Sequence, residues 1–165
     1  MRDPKQRDGL PPGDAKFLKI IDEFGWHVMS VVPRLGEEGE VFSYSTGLYL
    51  RFKHQEILLC GLDSGNSTRL INTIGEEIKR GVSFNSEIEY PNIFAGEVKC
   101  RFRPVKSANF NDYVCWSQWF YEYQDFPVLQ CFWPDKHGYY PWDKECHPDV
   151  KRCQPLLYNQ PRSVM

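Results

Sequence analysis

Residues 57–81 read ILLCGLDSGNSTRLINTIGEEIKRG, and this stretch decides the fold. Its first four residues form a continuous apolar run between Glu56 and Gly61, the composition of a central strand covered on both faces. A helix then begins near Asn66 or Ser67. Leu70, Ile71, Ile74 and Ile78 make its apolar stripe, and Arg80-Gly81 close it. A buried strand that turns directly into an amphipathic helix calls for a sheet with helices packed on it.

Upstream, Phe17, Ile20, Ile21 and Phe24 recur at helical spacing, with Asp14 as the expected N-cap and Gly25 as the stop. Trp26 to Val32 alternates apolar and polar residues and ends at Pro33. After the turn Gly36-Glu37-Glu38-Gly39, the segment Val41 to Leu48 sets Phe42, Tyr44 and Thr46 on one face and Val41, Ser43 and Ser45 on the other, so an antiparallel hairpin is expected. Downstream, beyond a loop through Tyr90-Pro91-Asn92, Val98, Cys100 and Phe102 alternate with Lys99, Arg101 and Arg103, a half-buried strand with one basic face. From Ser107, a third helix fits Phe110, Tyr113, Val114, Ser117, Phe120 and Tyr121, with Trp116 and Trp119 off its stripe. Pro127 to Trp133 reads as a further strand. The expected fold class is α+β: one domain over residues 14–157, a mainly antiparallel sheet with about three packed helices, after a disordered lead-in over 1–13 and before a tail over 158–165.

The chain has 165 residues, enough for one domain with a sizeable core. Lys and Arg total 20 against 22 Asp and Glu, a net charge of -2, so composition gives no support for a general grip on nucleic acid or an acidic membrane. A mean hydropathy of -0.54 with no long apolar run predicts no membrane span. The 11 Phe, 5 Trp and 9 Tyr are unevenly placed: thirteen of these rings lie between Phe110 and Trp142, so the C-terminal third either supplies much of the core or displays a sticky surface. Six cysteines occur, but Met1 to Lys16 has no apolar signal core, so the expectation is a cytoplasmic protein with reduced thiols, Cys60 and Cys131 serving as small core residues.

No motif marks a catalytic centre. His137, Cys146, His147 and Cys153 cluster in sequence, but no Cys-x-x-Cys or closely spaced His pair is present, so no metal is expected. Gly61 to Thr68 joins strand to helix where a phosphate could sit, yet it lacks the lysine of a Walker loop and the glycine spacing of a dinucleotide fold. His27 and His54 are candidate bases with no marked nucleophile. Asp135 and Asp143 flank an aromatic turn as a pair of acids. The stripe Lys99, Arg101 and Arg103, joined by Lys106, suits a phosphate or an acidic partner.

Three stretches together resemble a known family: Gly25-Trp26-His27-Val28; Phe42 to Tyr49 with His54-Gln55-Glu56-Ile57 and Gly61-Leu62; and Phe126 to Gln130 with Trp133-Pro134-Asp135, Gly138, Pro141-Trp142-Asp143 and Gln154-Pro155-Leu156. They are similar to the bacterial family called domain of unknown function 4262, over nearly all of residues 14–157. That family usually shows His-Pro-Glu where this chain has His54-Gln55-Glu56, and the resemblance implies no activity. The order Tyr-x-Thr-Gly-Leu, a Glu before an apolar strand, and a helix ending in Gly is more distantly similar to suppressor-of-fused-like immunity domains, which implies a binding module. A looser similarity to split-barrel flavin-binding proteins implies a ligand pocket or an oxidoreductase.

Two functions are therefore expected in competition. The first is a non-catalytic interaction module of immunity or anti-toxin type, with a protein partner recognised by the segment Tyr44 to Tyr49 and by the turn from Trp133 to Trp142 with Asp135 and Asp143, because Trp, Tyr and Arg dominate binding hot spots. It needs no cofactor. The second is a pocket for a small anionic ligand, flavin or nucleotide, in which Thr46, Gly47, Arg101 and Arg103 approach a phosphate while Trp133 or Tyr44 stacks on a ring.

Overall fold

The apolar run at 57–60 is the middle of the sheet. In a computed structural model that describes residues 10–159, Ile57, Leu58 and Leu59 are fully enclosed. They belong to β3 (Glu56–Cys60), which pairs with β2 (Phe42–Thr46) on one side and β6 (Val128–Phe132) on the other. The hairpin of β1 (His27–Val31) with β2 forms in antiparallel register, His27 opposite Thr46 and Val31 opposite Phe42. β5 (Cys100–Pro104) runs antiparallel to β6, and a two-residue β4 (Glu89–Tyr90) pairs with β5 inside the stretch read as loop. The order is β1-β2-β3-β6-β5-β4, an open sheet in which only the central β3 and β6 pair in parallel. The fold is α+β, with the mainly antiparallel sheet expected.

Each face carries its own core. On one, Leu70, Ile71, Ile74 and Ile78 of α3 (Ser64–Lys79) cover Ile57, Leu59, Leu129, Cys131, Cys100 and Phe102. Each such fully buried aliphatic chain contributes about 1.5–3 kcal/mol. Asp63 caps α3 by accepting the Asn66 amide at 2.9 Å. Gly75 lets the helix pass the Trp26 indole, since a Cβ there would lie 2.6 Å from the ring. On the opposite face, Phe17, Leu18 and Ile21 of α1 (Pro12–Phe24) pack with Phe42, Tyr44, Leu58, Cys60 and Val128.

Aromatic residues of the C-terminal third complete this second core, but not on one helix. A 3-10 turn (Ser107–Asn109) leads into α4 (Phe110–Tyr113), and α5 (Cys115–Phe120) follows a break at Val114, whose φ of -124° and ψ of 46° are not helical. The break lets the rings serve two directions. Phe110 packs on Phe126 and Tyr113 on Phe42, while Trp116 turns onto Phe17 with ring centroids 5.0 Å apart. Two further short helices were not read from periodicity, α2 (Leu48–Phe52) and α6 (Pro148–Cys153), each too short to show a stripe.

α1 begins at Pro12 with Pro11 at the N-cap position, so Asp14, expected as the cap, lies in the first turn instead. Most of the expected lead-in and tail lies outside the described residues, although Tyr158 is among them and packs against Phe132. All six cysteines are unbridged, with Cys60 and Cys131 in the cores. No helix among the described residues is long and apolar enough to cross a membrane.

Candidate functional site

Two constellations gather the residues singled out from the sequence, and they lie apart. The first surrounds Glu56 at the start of β3. Its carboxylate is enclosed, with no charged partner beside it among the described residues, yet both oxygens face donors. Oε1 accepts from the Ser45 hydroxyl at 3.0 Å and the Leu48 amide at 3.0 Å. Oε2 accepts from the Gly47 amide at 2.9 Å, from the Tyr121 hydroxyl at 2.7 Å and more weakly from the Tyr49 amide. The acid thereby caps the first turn of α2 from a neighbouring strand. Burial pushes its pKa up to about 7, opposed by the Tyr121 hydroxyl, the Gly47 amide, the Ser45 hydroxyl and the Leu48 amide. The Thr46 hydroxyl bonds Ser117 of α5 at 2.7 Å, and Gly47, at φ +118°, packs so closely on Gly25 and Trp26 that only glycine fits.

Tyr44, Thr46 and Gly47 are therefore interior residues. Tyr44 is 1% exposed, and its hydroxyl accepts the Trp116 amide at 3.1 Å. Neither surface recognition nor a ligand-stacking role is open to a ring so enclosed. Of that segment, Tyr49 alone is half-exposed, resting edge-on against Tyr121.

The second constellation is the basic face of β5, and it is covered by the C-terminal aromatic segment. Arg103 lies 3.7 Å from the ring centre of Trp142 and 4.6 Å from that of Tyr158. Trp142 stacks on Tyr140 with centroids 5.0 Å apart and planes within 6°, and it meets Phe132 edge-on. Arg101 sits 5.7 Å from the Tyr140 ring and pairs with Glu89 at 3.5 Å, while its Nε is sealed without an acceptor.

Polar side chains hold this segment in shape. Asp135 accepts the His137 and Tyr139 amides on one oxygen and the His147 amide on the other. Burial would raise its pKa, but the amides of Tyr139, His147 and His137 outweigh that and hold it below the ordinary value. Asp143 accepts the Tyr140 amide at 2.8 Å. The pair thus shapes turns and does not face a common substrate position. Gln130 donates to the Pro155 carbonyl at 2.8 Å and accepts the Leu157 amide, and Gln154 exchanges two hydrogen bonds with the Trp133 backbone. The Trp133 indole donates to the Cys60 carbonyl at 3.0 Å, which takes it away from the arginines.

Strand register separates the two constellations. Tyr44 is opposite Leu58, Leu58 opposite Gln130, and Gln130 opposite Arg103, so Tyr44 and Arg103 are three strand spacings apart, about 14 Å. Thr46 and Gly47 lie further off, toward the Glu56 end. The structure thus brings Arg103 together with Trp142 and Arg101 with Tyr140, and neither arginine with Thr46, Gly47 or Tyr44. Sequence reading missed Glu56, Tyr121, Tyr140 and Tyr158 as partners, because none of these pairings leaves a local spacing signal. Among the described residues, no group of three or more His, Cys, Asp or Glu side chains is placed to hold a metal ion.

Residues 20–147 match a family model described as Domain of unknown function (DUF4262). No curated protein and no solved structure matches the chain. The matched span holds the Glu56 network, Arg103 and Trp142, and stops before Gln154 and Tyr158. Because it covers well over half of the chain, this protein belongs to the DUF4262 family.

Proposed function

We propose that this protein is an interaction module that binds a partner protein through its C-terminal aromatic face. One observation carries the reading: Trp142 is half-exposed and held between neighbours, stacked on Tyr140 and set against Arg103. Trp, Tyr and Arg are the residues that concentrate binding energy at interfaces. The Asp135, Asp143, Gln130 and Gln154 hydrogen bonds fix the segment before any partner arrives, which lowers the ordering cost of association. The engagement of both Glu56 oxygens by donors fits a structural cap better than acid–base work.

Affinity capture from a lysate of the source cells tests this, with the wild-type chain, Trp142→Ala and Tyr123→Ala as baits. Tyr123 is 71% exposed and lies outside the proposed face. The expected result is a protein enriched on wild type and Tyr123→Ala and depleted at least tenfold on Trp142→Ala, with a sharp melting transition in all three. Equal capture by a folded Trp142→Ala chain would refute the reading.

A further inference from the structure

We infer that Arg103 is a receptor for a single carboxylate, presented by the partner of the aromatic face. This rests on the interaction reading and adds the chemistry of recognition. The observation behind it is a contrast among arginines. Arg51 donates to the carbonyls of Ile21 and Asp22, Arg69 to Asn66, Arg80 to Glu77 and Arg152 to Asp149, while Arg101 pairs with Glu89. Among the described residues Arg34 too meets no acceptor, but it is exposed between β1 and β2 with no ring to hold it. Arg103 has two aromatic rings in place of an acceptor. Among the described residues its N–H groups meet no protein acceptor, and none of its nitrogens is sealed from solvent as the Arg101 Nε is.

A guanidinium in this setting is prepared for a ligand. It is planar, always charged, and carries parallel N–H pairs that match the two oxygens of a carboxylate. Two rings restrain its rotation, so little side-chain entropy remains to be lost on binding. The rings also displace part of its water, which strengthens a hydrogen-bonded ion pair relative to one in open solvent. A carboxylate is favoured over a phosphate by charge: one free guanidinium balances one negative charge, and the neighbouring Arg101 is already paired with Glu89. The ligand group is thus an Asp or Glu side chain, or a chain-terminal carboxylate.

Titration of the wild-type and Arg103→Lys chains tests this, by following in NMR the indole N–H resonance of Trp142, the ring set against position 103 in both, while sodium acetate, and separately inorganic phosphate, replaces chloride at constant ionic strength. The expected result is a saturable shift with acetate, at least fivefold weaker in Arg103→Lys, which keeps the charge and loses the fork. Tighter binding of phosphate than of acetate would overturn the carboxylate assignment. Equal acetate binding by a folded Arg103→Lys chain would overturn the forked geometry, and no saturable shift with either ion would overturn the receptor altogether. Capture with Arg103→Gln as bait separates the two proposals: if partner binding survives there and is lost in Trp142→Ala, the interaction module stands and the carboxylate receptor falls.

Discussion

Replacing Glu56 by Gln should destabilise the fold by an amount that depends on pH. The amide keeps one acceptor oxygen but turns the other site into a donor. Either position already faces a backbone N–H, Leu48 at Oε1 or Gly47 at Oε2, so one buried amide loses its acceptor. That costs about 1–3 kcal/mol. The wild-type carboxyl also titrates. Its folded value of about 7 lies above its ordinary value of 4.5, so between these the folded chain holds a proton that the unfolded chain has released. The Glu56 contribution is therefore fully present below pH 4.5 and lost as pH rises through 7. At about 1.4 kcal/mol for each pH unit, the whole change is about 3.5 kcal/mol, of which about 2.5 kcal/mol falls between pH 5 and pH 8. Gln does not titrate. Urea unfolding of both chains should therefore give a deficit for Glu56→Gln that is largest at pH 5 and shrinks by about 2.5 kcal/mol by pH 8. Other titrating groups act equally on both chains and cancel in the difference. Stability curves that run parallel over this range would refute a raised Glu56 pKa, and coincident curves would refute the capping network as well.

Two more perturbations probe the same end of the sheet. His54 is buried, its Nε2 accepts the Phe84 amide at 3.0 Å and its Nδ1 faces the Gln55 carbonyl, so the neutral ring is favoured and burial lowers its pKa. The unfolded chain then takes up the proton first, and stability from His54 is lost as pH falls below its ordinary value of 6.5. His54→Gln should flatten this acid limb relative to wild type in urea unfolding between pH 7 and pH 5, and identical slopes would count against the assignment. Gly47→Ala should cost about 3 kcal/mol or more, because φ is +118° and the new Cβ would come within 2.5 Å of the Gly25 carbonyl oxygen. A loss under about 1 kcal/mol, by thermal or urea unfolding, would show that the backbone there relaxes easily.

The sequence by itself determined those elements whose pattern is local. The 57–60 run could only be buried on both faces, the α3 stripe at Leu70, Ile71, Ile74 and Ile78 repeats at helical spacing, and the hairpin of β1 with β2 follows from alternation around a turn. Tertiary structure decided the rest. The parallel pairing of β3 with β6 joins residues about seventy positions apart, and no spacing within either strand encodes its neighbour. Val114 breaks a helix that periodicity would continue, because Tyr113 and Trp116 are drawn to different partners. The same limit governs the candidate sites. An aromatic ring gains by covering either apolar surface or a guanidinium, so Tyr44 and Trp142 read alike in the sequence. One became core because its strand faces α5, and the other met Arg103 because the C-terminal segment folds back over β5. Glu56 shows the limit most sharply: a carboxylate in a strand is ordinarily solvated, and only the assembled turn of α2 with Ser45 and Tyr121 supplies the donors that make its burial tolerable.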